Sequence, residues 1–198
     1  MHKPAKVVVE KKRDLYTYSE LWHASECVLK SGIENQFGSS WQFLSSLLLT
    51  VFTFEAYLNH VGIRTIKCWE QCDRLPPWSK FELLCETLEV KFPDNTGARP
   101  LQTISKLLDF RNTVAHGRSE IVAKKEIRDA DHQLDAYLGE RPLADWELLI
   151  QTKNFAEQAR EDVYKTLERL HEQRKDDKES LFTFGMGVHG ASLVEAPG

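Results

Sequence analysis

Between Trp41 and Val61 the apolar residues Phe43, Leu44, Leu47, Leu48, Leu49, Val51, Phe52, Phe54, Tyr57 and Leu58 fall on nearly every side of a helix. A helix without a broad polar face cannot lie half in water. It has to be covered from several directions, at the centre of a bundle or at an interface between two subunits. Ser39 or Ser40 is the expected cap, and Gly62 the expected stop. Thr50 and Thr53 interrupt the most apolar part, Leu47 to Phe54, and Glu55 follows at once. The segment therefore reads as a buried helix and not as a bilayer span.

The remaining periodic segments supply the cover. Leu15, Tyr18, Leu21, Trp22, Ser25, Val28 and Leu29 predict a first helix that Gly32 would end. A short helical piece is expected over Ile63 to Cys72. Ser79 followed by Glu82 matches a capping box and predicts a helix through Phe81, Leu83, Leu84 and Leu88. The loop of residues 93–100 leads to a helix with Pro100 in its first position and Gly117 beyond its end, with Leu101, Ile104, Leu107, Leu108 and Val114 on its core side. A polar, irregular insertion from Arg118 to Pro142 comes next. One long helix from Ala144 to Arg174 closes the domain, with Trp146, Leu149, Ile150, Phe155, Ala159, Val163, Leu167 and Leu170 as its buried stripe. The fold class is all-α, an up-and-down helical bundle. Residues 1–14 form a charged arm with a short strand at Val7 to Val9, residues 15–174 the helical domain, and residues 175–198 a C-terminal tail that is mobile or ordered by a partner.

Composition bounds the function. The 198 residues suit one domain with short extensions, and 41% hydrophobic residues suffice for a core. With 26 basic against 30 acidic residues, a formal charge of -4 argues against a protein coated for nonspecific nucleic-acid binding, while leaving room for a local basic site. The apolar part of the N-terminal run is too short for a signal peptide. The four cysteines, Cys27, Cys68, Cys72 and Cys85, lack the density of a disulfide scaffold, so a reducing cytoplasm and no membrane association are expected. Cys68 and Cys72 have no second pair to complete a zinc spacing, and no cofactor or metal is expected.

The chemistry-bearing segment is Asp109-Phe110-Arg111-Asn112-Thr113-Val114-Ala115-His116-Gly117. Asn112 and His116 lie four apart on one helical face, with Arg111 on a neighbouring one. Three side chains suited to an anion thus fringe one helix end. Glu55 shares a face with Leu48, Val51, Phe52 and Asn59. A carboxylate in an apolar stripe needs a partner, and Arg111 is the best candidate. A histidine in the last turn of a helix can equally be a residue that complements the helix dipole, and Arg111 a structural ion-pair partner.

Arg111-Asn112 followed by three residues and His116, with Leu107-Leu108-Asp109-Phe110 before and Gly117 after, resembles the Arg-x4–6-His signature of the HEPN superfamily. Phe54-Glu55-Ala56-Tyr57-Leu58-Asn59 resembles the acidic, aromatic-bearing helix that packs opposite that motif. The resemblance covers about residues 38–117. It implies a homodimer with two motifs facing across a cleft and, in active members, a metal-independent endoribonuclease of defence, stress-response or toxin–antitoxin type with a neutralising partner protein. Under it His116 is the general base or acid, Arg111 stabilises charge on the phosphate, Asn112 is the positioner, and Glu55 and Asn59 support them. Arg118 and Lys106 are the expected RNA contacts, with Lys124, Lys125 and Arg128 extending them, although lysines there also read as solvated surface. Some members carry a tyrosine two residues after the histidine that a partner nucleotidyltransferase modifies. Arg118 stands there in this chain, which argues against that route of regulation. The alternative is a HEPN-fold module that dimerises and cuts nothing.

Overall fold

The computed structural model of the chain describes residues 7–92, 97–127, 140–174 and 179–193. Among these, seven helices are found: α1 Thr17–Glu34, α2 Ser39–Thr65, α3 Trp69–Cys72, α4 Pro77–Thr87, α5 Leu101–Ala115, α6 Asp145–Leu149 and α7 Asn154–Glu172. Two strands, β1 Val7–Arg13 and β2 Gly187–Leu193, form a small antiparallel sheet. Residues 93–96, the first part of the expected loop of residues 93–100, lie outside the described residues, as do Arg128 and the segments 1–6, 128–139, 175–178 and 194–198.

Helix α2 is the axis of the bundle, as its all-round apolar character demands: α1, α3, α4, α5 and α7 all pack on it. Leu47, Val51, Phe54, Tyr57, Leu58 and Val61 are fully enclosed. One strip stays open, with Trp41 and Phe52 exposed and Leu48 half-buried. Helix α1 runs antiparallel along α2. Ser46 donates to the Ser25 carbonyl at 3.0 Å, and the Tyr18 ring meets Tyr57 edge-on at 5.1 Å. Helices α5 and α7 are likewise antiparallel, joined by Gln158 to Thr103 at 2.9 Å and by Arg99 donating twice to the buried Asp162, at 2.7 and 2.9 Å. No helix among the described residues is long and apolar enough to cross a membrane.

Helix bodies follow the hydrophobic spacing, and α5 lies between Pro100 and Gly117 as expected, but other helix ends do not follow the expected signals. Gly62 is no stop, since α2 continues to Thr65. It is the one residue small enough to lie under the Trp69 indole, where a Cβ would come within 2.3 Å of the ring. Gly32 likewise lies inside α1, against Phe43. Neither Ser39 nor Ser40 caps α2, whose N-cap is Gly38 at φ 75, a left-handed conformation that glycine adopts without strain. The Ser79–Glu82 capping box does not form. Helix α4 starts two residues earlier at Pro77, and the Glu82 carboxylate accepts from Trp78 Nε1 at 2.8 Å.

The long C-terminal helix is two helices, α6 and α7. Ile150 and Phe155 are five residues apart, about 140° on an unbroken helix. The break over residues 150–153 lets both reach the core, where Ile150 is 2% exposed. The tail also departs from expectation. Val7 pairs with Leu193 and Arg13 with Gly187, so residues 187–193 are ordered by the N-terminal arm of the same chain. Residues 179–186 form a strap leading to β2. Phe182 stacks on Trp22 at 4.4 Å, and His23 Nε2 bonds the Phe182 carbonyl at 3.2 Å.

Candidate functional site

The last turns of α5 are set by two anchors. Phe110 is buried, and Val114, one turn on, packs at the edge of the core. Between them Arg111 comes out at the seam with α2, opposite Glu55, while Asn112, Thr113, Ala115 and His116 face solvent. Arg111 Nη2 lies 2.6 Å from both Glu55 oxygens and donates to Oε2; both side chains are 22% exposed. Glu55 Oε1 is buried and accepts no hydrogen bond. Arg111 Nη1 donates to Asn112 Oδ1 at 2.8 Å. The guanidinium plane is thus held from two sides by two of its five N–H groups, leaving others to meet an anion.

His116 is the C-cap residue of α5, its backbone N–H bonded to the Asn112 carbonyl at 2.9 Å. Its ring is exposed and has no hydrogen-bond partner among the described residues. Asn112, the expected positioner, gives its side-chain oxygen to Arg111, and its side chain makes no hydrogen bond to the His116 ring. It positions the arginine. The exposed imidazole and the clamped guanidinium together offer a proton-exchanging group and a fixed cation at one helix end, the pair needed for in-line displacement at a phosphate.

The other expected site residues separate. Asn59, one turn beyond Glu55 on α2, accepts from Lys80 Nζ at 2.8 Å and so belongs to another cluster. Lys80 is 7% exposed, 3.3 Å from Asp73 and 5.7 Å above the Trp69 ring. The buried ammonium shares its N–H groups between Asn59 and Asp73. Lys106 sits over the Phe155 ring of α7 at 5.1 Å, turned from the Arg111 seam. Arg118 is exposed in the segment after α5, where Lys124 is ion-paired with Glu126. His60 Nδ1 lies 2.7 Å from Arg64 Nη1, and its ring packs edge-on to Tyr16 and Tyr18.

Sequence reasoning missed the buried Arg160, which lies 3.8 Å over the Trp22 ring, donates to the Trp22 carbonyl at 3.0 Å and pairs with Glu26 at 3.6 Å. Burial lowers its pKa to about 10. Arg160 flanks the apolar stripe of α7, seven residues before Leu167, but nothing local shows that an indole on another helix will cover it. Its partners are structural, as it touches none of the Arg111 group. No protein-family model, curated protein or solved structure matches the chain.

Proposed function

We propose that this chain is a metal-independent endoribonuclease of HEPN type that works as a homodimer. The observation that carries the reading is the clamp of Arg111 between Glu55 and Asn112, with an exposed, unpaired His116 one turn after Asn112. In the reaction His116 takes the proton from a ribose 2′-hydroxyl, and the freed oxygen attacks the adjacent phosphorus. Arg111 donates to the phosphate oxygens as charge gathers there. The P–O5′ bond breaks, the 5′-oxygen takes up a proton, and the products are a 2′,3′-cyclic phosphate and a 5′-hydroxyl. The open strip of α2 supports the dimer. Trp41 and Phe52 are eleven residues apart, within about 20° around the helix, and Glu55 follows one turn after Phe52. An exposed apolar strip that leads to a charged site suits a second copy better than water. A neutralising partner protein in the cell belongs to the same reading.

One observation favours the alternative, a dimerisation module that cuts nothing: Arg111 already has two acceptors and ties α5 to α2. The two readings part in one experiment. Purified wild type, His116→Ala and Arg111→Lys are incubated with a single-stranded RNA in excess EDTA, and the ends are analysed. Cleavage with cyclic-phosphate ends, slowed about 100-fold or more by His116→Ala and strongly by Arg111→Lys, is the expected result. Equal products from all three, with each folded and dimeric by sedimentation, would leave the interaction module.

A further inference from the structure

The ribbon of β1 and β2 stands apart from the bundle. Every β1 side chain is exposed, as are residues 187–192 of β2. Two-stranded ribbons have little stability of their own, and this one encloses nothing. It displays the valines Val7, Val8, Val9 and Val188 and, in the half of β1 nearer the bundle, charge. Residues 1–13 contain five of the chain's 26 lysines and arginines and one of its 30 acids, in a protein whose net charge is -4. The acidic excess therefore lies wholly in the remainder.

The register places these charges. Residues opposite each other share a face and neighbours along a strand alternate. Lys11 faces His189, and Arg13 faces Gly187 on the same side; Lys12 lies on the other side opposite Val188, next along from Glu10. Lys11 and Lys12 have no ion-pair partner among the described residues, and Arg13 reaches only Glu20, at 4.0 Å. On the bundle several cations are answered by acids: Arg99 with Glu161 and Asp162, Lys165 with Glu161, Lys30 with Glu26. At the base of the ribbon the Phe184 ring is 53% exposed and stacks on His23 at 4.5 Å. Gly185 holds it there, pressed against the Asp14 backbone so closely that any Cβ would collide.

We propose that the β1–β2 ribbon is an RNA-binding arm, its unpaired Lys11 and Lys12 meeting backbone phosphates and the exposed Phe184 ring offering a surface for a base to stack on. The proposal rests on the RNA-cleaving reading of the Arg111–His116 site for the nature of its ligand, and adds a second contact on the same substrate. Uncompensated cations and an exposed ring are features that hold single strands without regard to sequence, and strand alternation sets one lysine on each side of the ribbon. The acidic bundle of a second copy is the competing occupant, and self-association of the ribbon variant distinguishes it from RNA.

The test uses the full chain and a fluorescein-labelled 20-nucleotide 2′-O-methyl oligonucleotide, which lacks the hydroxyl needed for cleavage, so that binding is read apart from catalysis. Anisotropy titrations from 0.05 to 0.3 M salt compare wild type, Lys11→Gln/Lys12→Gln, and a control of equal charge change on the bundle, Lys30→Gln/Lys165→Gln. The ribbon double variant is expected to bind about tenfold more weakly at 0.1 M salt, with a log–log salt slope shallower by about 1.4, and the control to bind as wild type does. Phe184→Ala is expected to weaken binding without changing the slope, since stacking carries no counterion release. Unchanged thermal midpoints exclude misfolding as the cause. Equal binding by both double variants, or no binding by wild type at 0.05 M salt, would overturn the arm. So would loss of self-association in the ribbon variant with RNA binding intact, which would assign the ribbon to a second copy. Absence of cleavage of ordinary RNA alongside slope-dependent binding would instead remove the catalytic reading and leave the arm.

Discussion

At 22% exposure on both sides, Glu55 and Arg111 are neither a surface pair nor a fully enclosed one. A surface pair contributes little, because water screens it; a buried pair is costly to break, because the survivor is left desolvated. With Oε1 of Glu55 already lacking a hydrogen bond, removal of Arg111 would leave a half-buried carboxylate with no cation beside it. Arg111→Ala is therefore expected to cost about 1–2 kcal/mol in urea denaturation, while Lys153→Ala, whose pair with Glu157 is exposed, leaves the midpoint almost unmoved. Glu55→Gln keeps the shape and tests the clamp separately: stability falls less, and cleavage falls if the carboxylate fixes the guanidinium. The Glu55–Arg111 contact was legible in the sequence because a carboxylate on an apolar stripe must find a cation. The partner of Asn59 was not, since nothing local announces that Lys80, a residue type found mostly at surfaces, is buried by Trp69 and Asp73. Cysteine chemistry is graded by the same physics. Burial, reinforced by Glu82, pushes the Cys85 thiol up to about 12, so that almost no thiolate exists at pH 8. Iodoacetamide at that pH is expected to label the exposed Cys27 and Cys68 first and to reach Cys85 only after denaturation, which peptide mass spectrometry can follow.

Among the elements, α2 shows what periodicity reveals and what it hides. Its body follows from burial demand alone. Its ends depend on contacts from distant segments, so Gly62 carried the mark of a stop while serving as the floor for Trp69. The difference has a sign that can be measured. Glycine to alanine inside an exposed helix is stabilising by about 1 kcal/mol. Here the added Cβ would lie 2.3 to 2.4 Å from three atoms of the indole, which α3 and the turn after Thr65 hold in place. Gly62→Ala is expected to destabilise by about 1–3 kcal/mol. In a Trp69→Leu background, itself less stable, the same change should cost much less or reverse sign; additive costs in the double-mutant cycle would show that the close approach is not what requires glycine. The division of the C-terminal helix was legible by the same arithmetic, in the five-residue step from Ile150 to Phe155, although an apolar stripe on either side invites reading it as one helix.

For the whole molecule, the informative miss is the tail. A segment such as Phe184-Gly185-Met186-Gly187-Val188 has no helical period and few residues that favour a strand, and its partner lies at the other end of the sequence. Register is written in the pairing and not in either strand alone. The strap that carries β2 to β1 is fastened to the bundle at definite points. Tyr57, wholly buried, lies with its hydroxyl 3.0 Å from His171 Nδ1, and His171 Nε2 lies 2.8 Å from the Glu179 carbonyl. A carbonyl can only accept, so Nε2 carries the hydrogen, and in the neutral ring Nδ1 then accepts from the tyrosine. Together with the Phe182 ring on Trp22, these contacts fix where β2 begins, and β2 in turn is all that pairs with β1 among the described residues. Strap and ribbon should therefore open as one unit, well below the free energy needed to open the core around α2. Amide hydrogen exchange tests this directly. In the wild-type chain alternate amides of residues 7–13 are expected to be protected, though far less than those of α2. Phe182→Ala, which unseats the strap, should bring the β1 amides close to the rate of an open chain while leaving Leu47, Val51 and Leu58 as slow as before. Protection of β1 that survives Phe182→Ala would mean that the ribbon holds itself together, and that its position on the bundle is set by the Asp14–Met186 contact at its base instead of by the strap.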